Sequence, residues 1–250
     1  MSSFSLAWQF LTILPGWKSD GEITAQLLGR SMAFYPIVGL LLGLILWGTH
    51  WVFSLAFPRM LCDGLIITFL VILTGALHLD GLADTLDGLA AGKTSEERLR
   101  IMKDHRVGTF GIVGLILILG LKFLALNTLP DEVARKGLVV ALILGRWSMV
   151  QLTYRAPYAR PEGGLGLPFK ENLKKREMVI ATATSLALSF FFFRFWGAIL
   201  WLMVGIFTLL IQGFFRRKIG GITGDVLGAT SEANEVLTFI LISGMLQVLF

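Results

Sequence analysis

Long apolar runs separated by short polar segments dominate the pattern of this chain. Seven runs reach, or come near, the length of about 20 residues that a helix needs to cross a bilayer. They are residues 34–57, 64–77 continuing into the acidic stretch that follows, 108–126, 137–152, 178–193, 196–215 and 236–250. The pattern predicts an all-α, polytopic transmembrane bundle of about seven spans, in one integral-membrane domain that covers residues 1–250.

Shorter elements are predicted around these spans. Residues 4–14 are apolar but too short to cross, and no basic segment precedes them, so we expect an interfacial or re-entrant helix ended by Pro15 and Gly16 rather than a signal peptide. Residues 19–30 are polar and predict a short helix. Thr94 and Glu97 form a capping-box pattern that predicts another short helix in a long loop.

Basic residues alternate between the polar segments. Lys and Arg number two, one, five, two, six, one, three and none in successive segments, so alternate segments total 16 and 4. The positive-inside rule places the more basic side, with the N-terminus, in the cytoplasm. The same asymmetry explains the net charge of +5 without nucleic acid. Only 16% of residues are charged and 55% are hydrophobic, which is atypical of a soluble domain.

The most unusual stretch is residues 78–91, with the sequence HLDGLADTLDGLAA. On a helix, Asp80, Asp84 and Asp87 fall within an arc of roughly 60°, and Gly81 and Gly88 beside them allow close approach of another backbone or a ligand. Because 64–77 has too few residues to span, we expect its helix to continue into this stretch and to carry the acids to the bilayer surface.

Three carboxylates on one helical stripe repel each other, so a partner of opposite charge is expected. Oxygen ligands suit Mg²⁺ or Mn²⁺, and the pattern predicts that Asp80, Asp84 and Asp87 hold a divalent metal ion. The alternative is a solvated helix end that carries surface acids. The low charge content of the chain and the segregation of the stripe favour the metal site.

Two basic residues lie inside predicted spans. Lys122 is near the outer end of its run, and we expect it to extend its ammonium group to the membrane surface. Arg146 is in the middle of its run, where an ionised side chain usually has a paired or functional role. We therefore expect Arg146 to face a polar cavity and to pair with an acid or a phosphate.

Three further polar segments belong to the predicted cytoplasmic side. Residues 101–108 carry Lys103, Asp104, His105 and Arg106; residues 158–166 carry Arg160 with Gly163 and Gly164; and residues 220–229 carry Thr223 and Asp225, with Glu232 and Glu235 following before the last span. The second segment has the composition of a lid that closes over a phosphate, or of an ordinary flexible loop.

Carboxylates with a metal ion, together with Lys and Arg, form the combination that phosphoryl chemistry requires. The metal bridges phosphate oxygens and activates an attacking hydroxyl group, while the cations stabilise the charge on the transferred group. The sequence contains no P-loop, which argues against ATP hydrolysis, and no cluster of cysteines suited to a metal.

Four phrases together resemble the cobalamin synthase family, whose members are adenosylcobinamide-GDP ribazoletransferases. They are HLDGLADTLDG at 78–88, MKDHRVG at 102–108, ARPEGGLG at 159–166 and GGITGDVLGA at 220–229. The resemblance covers about residues 10–236. It implies a Mg²⁺-dependent enzyme, with Mn²⁺ as an alternative ion, in the bacterial inner membrane with its active face toward the cytoplasm.

The resemblance also implies a reaction. The 3′-hydroxyl of α-ribazole, or of its 5′-phosphate, attacks the phosphorus next to the aminopropanol linker of adenosylcobinamide-GDP, and GMP leaves. The implied partners are these two substrates and membrane lipid, with no nucleic acid; a homo-oligomer or association with other cobalamin-assembly enzymes is left open.

Roles for the polar residues follow from this resemblance. Asp80, Asp84 and Asp87 would hold the metal, and Asp104 or Asp225 would complete a second ion or accept the attacking proton. Lys103, Arg106 and Arg146 would meet the phosphates. The remaining substrate-binding positions are His78, Arg160, Gly163, Gly164 and Thr223.

Two rival functions are weighed against this interpretation. A CDP-alcohol phosphotransferase also uses an aspartate-rich helix, but its signature places Ala-Arg shortly after Asp-Gly, whereas Leu-Ala-Asp follows Asp80 and Gly81 here. A cation-coupled transporter would predict acids near the middle of the membrane and inverted repeats. The sequence shows no such repeat, and its acids collect on one side.

Overall fold

The computed structural model describes residues 2–16, 22–104, 106–160 and 162–249. Within these ranges the protein is helical, and one isolated β-bridge joins two loops. The helices are α1 (Ser3–Leu11), α2 (Ala25–Ser31), the 3₁₀ turn η1 (Met32–Phe34), α3 (Tyr35–Ser54), α4 (Arg59–Leu73), α5 (Leu77–Ala91), α6 (Ser95–Ile101), α7 (Thr109–Asn127), α8 (Asp131–Arg155), α9 (Leu167–Asn172), α10 (Lys175–Phe193), α11 (Phe195–Ile219) and α12 (Gly224–Leu249). The predicted all-α membrane bundle is confirmed.

Among the described residues, five helical segments are long and apolar enough to cross a membrane: α2 with α3, α7, α8, α10 and α11. A sixth crossing arises if the bent pair of α4 and α5 is counted as one span. The predicted number of seven and the predicted orientation therefore stay predictions. The described part of the run at 236–250 belongs to a longer helix, since α12 already begins at Gly224 and ends at Leu249.

The expectation of a continuous helix from residue 64 into the acidic stretch is wrong. The axes of α4 and α5 differ by 88° across a break at Thr74–Ala76. Gly75 and Ala76 both have left-handed backbone conformations, with φ of 59° and 57°, which an α-helix cannot accommodate. Ile13, just after α1, donates its backbone N–H to the Leu73 carbonyl at 2.9 Å. This contact satisfies one carbonyl that the end of α4 leaves free.

One of the short helices agrees with the sequence-based expectation, since Thr94 begins α6 by accepting a hydrogen bond from the Glu97 amide at 3.2 Å. The helix predicted for residues 4–14 ends before Pro15, because α1 covers Ser3–Leu11 and Thr12 already has an extended backbone. The helix predicted for residues 19–30 is shorter, because Thr24 caps α2 and residues 22–24 precede it without helical structure. Residues 19–21 of that prediction are outside the described ranges.

Helix α8 lies at the centre of the bundle, and all its residues from Gly137 to Thr153 are buried. Helix α3 packs closely against it through Gly39 and Gly43. A Cβ atom at Gly39 would lie 2.5 Å from the Leu142 carbonyl oxygen, and one at Gly43 would lie 2.5 Å from the Val139 Cα atom. Small residues four apart allow two membrane helices to approach this closely.

We expect Gly39→Ala to lower the free energy of unfolding by about 1–3 kcal/mol, because the added methyl group meets backbone that cannot move aside. Gly48 is the matched control, since it lies on the same helix and a Cβ atom there would contact nothing within 4 Å. Thermal unfolding of both variants in detergent measures the difference. Equal melting temperatures for the two variants would contradict the close packing of α3 on α8.

Candidate active site

The crossing of α5 and α12 brings two sequence motifs into backbone contact. A Cβ atom at Gly81 would lie 2.8 Å from the Asp225 carbonyl oxygen, and one at Gly228 would lie 3.0 Å from the His78 carbonyl oxygen. Glycine is therefore required at position 81 for this separation, and any side chain at position 228 would be in very tight contact with the α5 backbone. The first turn of α5, with Asp80, therefore lies directly beside the first turn of α12, with Asp225.

A cavity of about 180 Å³ opens at this crossing. Its polar lining comes from His78 and Asp80 on α5, from Arg160 in the loop after α8, and from Asp225 on α12. The apolar wall is formed by residues from separate parts of the chain: Phe10, Met32, Tyr35, Met149, Phe169 and Leu227. The rings of Phe10 and Phe169 are in contact, with centroids 4.8 Å apart. Three of the four motifs found in the sequence thus share one cavity.

The loop after α8 is fixed to the start of α12 by backbone hydrogen bonds. The Ala159 amide donates to the Ile222 carbonyl at 2.8 Å, and the Ile222 amide donates to the Pro157 carbonyl at 2.9 Å. These bonds hold Arg160 beside the cavity. Gly164 is close to the ring of Tyr158, where a Cβ atom would lie 2.6 Å from the hydroxyl oxygen. Gly163 has a φ of +87°, so the turn requires glycine at that position.

Asp225 is the centre of the polar rim. Arg160 donates to its Oδ2 at 2.7 Å, and the Thr223 hydroxyl donates to the same oxygen at 3.1 Å. Burial raises the pKa of Asp225, while Arg160 and Thr223 act in the opposite direction. A carboxylate with a raised pKa is a stronger base than an exposed aspartate, which suits a group that accepts a proton.

The three aspartates of the acidic stripe have different surroundings. Asp80 is exposed at the cavity, and Asp84 is half-buried with Asp80, Asp87, Asp225 and Arg160 as its charged neighbours. The described residues contain no ready-formed group of three or more His, Cys, Asp or Glu side chains suited to a metal ion. The metal-binding roles of the three aspartates stay predictions.

Asp87 faces away from the cavity and toward the start of α7. It is 6% exposed, and its two oxygens accept hydrogen bonds from the backbone amides of Gly108 at 2.7 Å and Gly111 at 2.9 Å. These amides belong to the first turn of α7 and have no partner within the helix. A carboxylate at this position also interacts favourably with the helix dipole.

The motif at 102–108 lies beside the cavity without lining it. Lys103 pairs with Glu162, and Asp104 accepts a hydrogen bond from the Arg106 amide at 3.1 Å. The link to the cavity is the Met102 carbonyl, which receives a second, longer hydrogen bond from Arg160 at 3.4 Å. The catalytic roles of Lys103, Asp104 and Arg106 stay predictions, and His105 is outside the described residues.

His78 is the buried polar group on the cavity wall. It is 1% exposed, and neither of its ring nitrogens has a hydrogen-bond partner among the described residues. Buried polar atoms are usually hydrogen-bonded, so the open nitrogens favour contact with a molecule in the cavity. His78 was predicted to bind substrate, and the structure places it on the cavity wall. Its contact with a substrate stays a prediction.

The expectation that Lys122 extends to the membrane surface is wrong. Lys122 is 2% exposed, and its ammonium group donates to Glu232 at 2.6 Å and to Glu235 at 2.7 Å. Arg146 is fully buried and pairs with Glu235 and with the Ser231 hydroxyl, the latter at 2.7 Å. The predicted acid partner of Arg146 is therefore present, but Arg146 does not line the cavity at the crossing of α5 and α12, and its phosphate-binding role stays a prediction. Glu232 and Glu235 lie inside α12 rather than in a loop before it.

The apolar wall of the cavity is the part that sequence reasoning missed. Phe10, Tyr35, Met149 and Phe169 lie on four different helices. None of them belongs to a polar motif, and each fits the apolar pattern of its own segment equally well as a core residue. No local signal in the sequence identifies them as cavity residues.

We expect Arg160→Ala to reduce turnover by about a hundredfold, because the variant removes the cation beside Asp225 and leaves that carboxylate unpaired. Arg160→Lys keeps the charge but lacks the planar guanidinium group with its several N–H donors. Its turnover should therefore lie between that of the parent protein and that of Arg160→Ala. Steady-state kinetics with the purified protein measures both variants. Full activity of Arg160→Ala would exclude Arg160 from the site.

Comparison with known proteins agrees with the resemblance found in the sequence. The family model described as CobS, cobalamin-5-phosphate synthase, matches residues 3–243. A protein of Geotalea daltonii named adenosylcobinamide-GDP ribazoletransferase is 40% identical over 96% of this chain and 98% of its own length. Relatives with the same name from Syntrophobacter fumaroxidans and Pseudomonas putida GB-1 are 39% and 40% identical, each over 94% of this chain and 96% of its own length. No solved structure matches. The match to the family model over nearly the whole sequence shows that this chain belongs to the cobalamin-5-phosphate synthase family.

Proposed function

We propose that this protein transfers the cobinamide-phosphate moiety of adenosylcobinamide-GDP to the 3′-hydroxyl of α-ribazole or of its 5′-phosphate, with GMP as the second product. The names of the relatives support this activity. The observation that carries it is the cavity in which Asp80, Arg160 and Asp225, from three separate motifs, line one space.

The size of the cavity indicates which part of the substrates enters it. Its volume of about 180 Å³ is well below the range of roughly 300–1,000 Å³ that encloses a drug-sized ligand. A corrin is larger than such a ligand. We infer that the diphosphate and the attacking ribose occupy the cavity, while the corrin ring lies outside it.

The chain supplies a base and a cation for the transfer. Asp225 would accept the proton of the 3′-hydroxyl group. The oxygen of that hydroxyl group would then form a bond to the phosphorus of the cobinamide phosphate. The bond from that phosphorus to the bridging oxygen breaks, and the bridging oxygen leaves as part of GMP. Arg160, whose Nε atom is buried without a partner in the described structure, would stabilise charge on the phosphate oxygens.

A Mg²⁺ ion bound at this rim would neutralise charge on the diphosphate. The charges around Asp84 suit such an ion. Three carboxylates, of Asp80, Asp87 and Asp225, and one guanidinium group, of Arg160, are its charged neighbours, so negative charge is in excess. Magnesium at nucleotide sites is usually held by one or two carboxylates together with substrate phosphates. Asp80 and Asp84 are the two that we assign to it.

Purified protein in detergent should release GMP from adenosylcobinamide-GDP only when α-ribazole or its 5′-phosphate is present. Chromatography would follow GMP and the cobalamin product together, because the reaction forms them in equal amounts. Protein reconstituted into vesicles should show no uptake of Mg²⁺ or protons. Ion uptake without GMP release would instead support the transporter alternative.

A further inference from the structure

A second cleft lies apart from the active-site cavity, between α1, the η1 turn and the start of α10. Its volume is about 290 Å³, and its lining includes Ser3, Arg30, Phe34, Arg176, Glu177 and Ile180. None of these residues lines the cavity at the crossing of α5 and α12. The cleft combines two cations, one acid and an apolar edge.

Glu177 gives the cleft its polar interior. The residue is 7% exposed, and its Oε2 atom is buried without a hydrogen-bond partner among the described residues. The described part of the chain also places no Lys, Arg or His within 4.0 Å of this carboxylate, because Glu177 takes part in none of the ion pairs found there. A buried carboxylate oxygen without a partner is costly, so the cleft favours a ligand that carries a hydrogen-bond donor.

The two arginines stand at the entrance. Arg30 is in the last turn of α2, Arg176 is in the first turn of α10, and both are exposed. Guanidinium groups are well suited to phosphate oxygens. Two cations at the entrance and one acid inside therefore complement a ligand with a phosphate group and a primary ammonium group.

The apolar edge indicates where the rest of this ligand lies. Phe34 and Ile180 border the cleft, and the surface of α10 beyond them is apolar, with Val179 55% exposed and Phe191 70% exposed. Arg30 and Arg176 lie near the N-terminal ends of two helical segments long and apolar enough to cross a membrane, and the charge pattern predicts that both are on the cytoplasmic side. The predicted orientation therefore places the cleft in the head-group layer of the inner leaflet.

We propose that this cleft binds the head group of an ethanolamine phospholipid. Arg30 and Arg176 hold its phosphate, Glu177 accepts hydrogen bonds from its ammonium group, and the acyl chains follow the exposed apolar surface of α10. A choline lipid has no N–H donor for Glu177, and a glycerol lipid has no cation. The site therefore distinguishes lipids by the amine.

Binding of defined lipids to the detergent-purified full chain tests the proposal. Native mass spectrometry should show phosphatidylethanolamine retained about tenfold better than phosphatidylcholine or phosphatidylglycerol of the same acyl chains. Glu177→Gln should remove this preference, and Arg30→Ala with Arg176→Ala should weaken retention of all three lipids. Glu132→Gln and Arg217→Ala, which alter exposed residues elsewhere, should leave the preference unchanged.

The remaining outcomes would overturn the proposal. Equal retention of the three lipids by the parent protein, or an unchanged preference in Glu177→Gln, would exclude an amine-selective site. Free phosphoethanolamine that displaces the lipid at equal concentration would show that the cleft takes a soluble phosphate compound instead. Melting curves for each variant establish that the folded protein is being compared.

Discussion

Replacing Asp80 or Asp84 with asparagine is expected to lower GMP release by about a thousandfold or more, because the Mg²⁺ ion that we assign to these two carboxylates would supply several kcal/mol of charge stabilisation. Asparagine keeps the size of the side chain and removes the charge. Asp80 is exposed and Asp84 is half-buried, so neither change should prevent folding. The measurement is single-turnover release of GMP across a Mg²⁺ titration, where the variants should also need more metal.

Two further substitutions separate this effect from a general loss of negative charge. Glu132→Gln removes an exposed carboxylate that pairs only with Lys136 among the described residues, and its turnover should equal that of the parent. Asp87→Asn should mainly lower thermal stability, because this side chain binds the start of α7. Asp80→Asn protein that is folded and fully active would remove the basis for the proposed metal site.

Glu235→Gln is expected to be the most destabilising single change in the bundle, at about 3–5 kcal/mol, because it leaves buried cations without compensation. Glu235 pairs with both Lys122 and Arg146, and all three side chains are at least nine-tenths buried. After the substitution, Glu232 would be the remaining acid for two cations. Thermal unfolding and the yield of folded protein in detergent measure the loss.

Paired substitutions test whether charge balance is the cause. Lys122→Met alone leaves two buried acids with one guanidinium, so it should be strongly destabilising. Lys122→Met combined with Glu232→Leu removes one cation and one acid and leaves the pair of Arg146 with Glu235. The double variant should therefore melt above the single variant. A double variant that melts no higher would show that the network is not governed by charge balance.

Local patterns predicted the helical bundle and three of the motifs that line the cavity, because apolar periodicity and residue spacing report on contacts within a segment. They did not predict the break between α4 and α5. That break depends on Gly75 and Ala76 in left-handed conformations and on Ile13, which reaches the end of α4 from a distant segment. Such a contact has no trace in the sequence around residue 75.

The partners of Lys122 illustrate the same limit. Its position near the end of an apolar run suggested an extended side chain, yet its acids lie 110 and 113 residues further along the chain. The pairing follows from where α12 packs on α7, which composition does not reveal. The carboxylates Glu232 and Glu235 were noticed as polar residues, but they looked like loop residues because the start of α12 is rich in glycine.

The glycine contacts between α5 and α12 have a consequence for redesign of the enzyme. Since the backbones of α5 and α12 are in contact at Gly81 and Gly228, the distance between the Cα atoms of Asp80 and Asp225 is set by main-chain geometry. A variant designed for a bulkier acceptor nucleoside therefore cannot gain space between α5 and α12. The space has to come from the apolar wall, where a smaller residue in place of Phe10 or Phe169 enlarges the cavity and leaves the backbone contact between α5 and α12 unchanged.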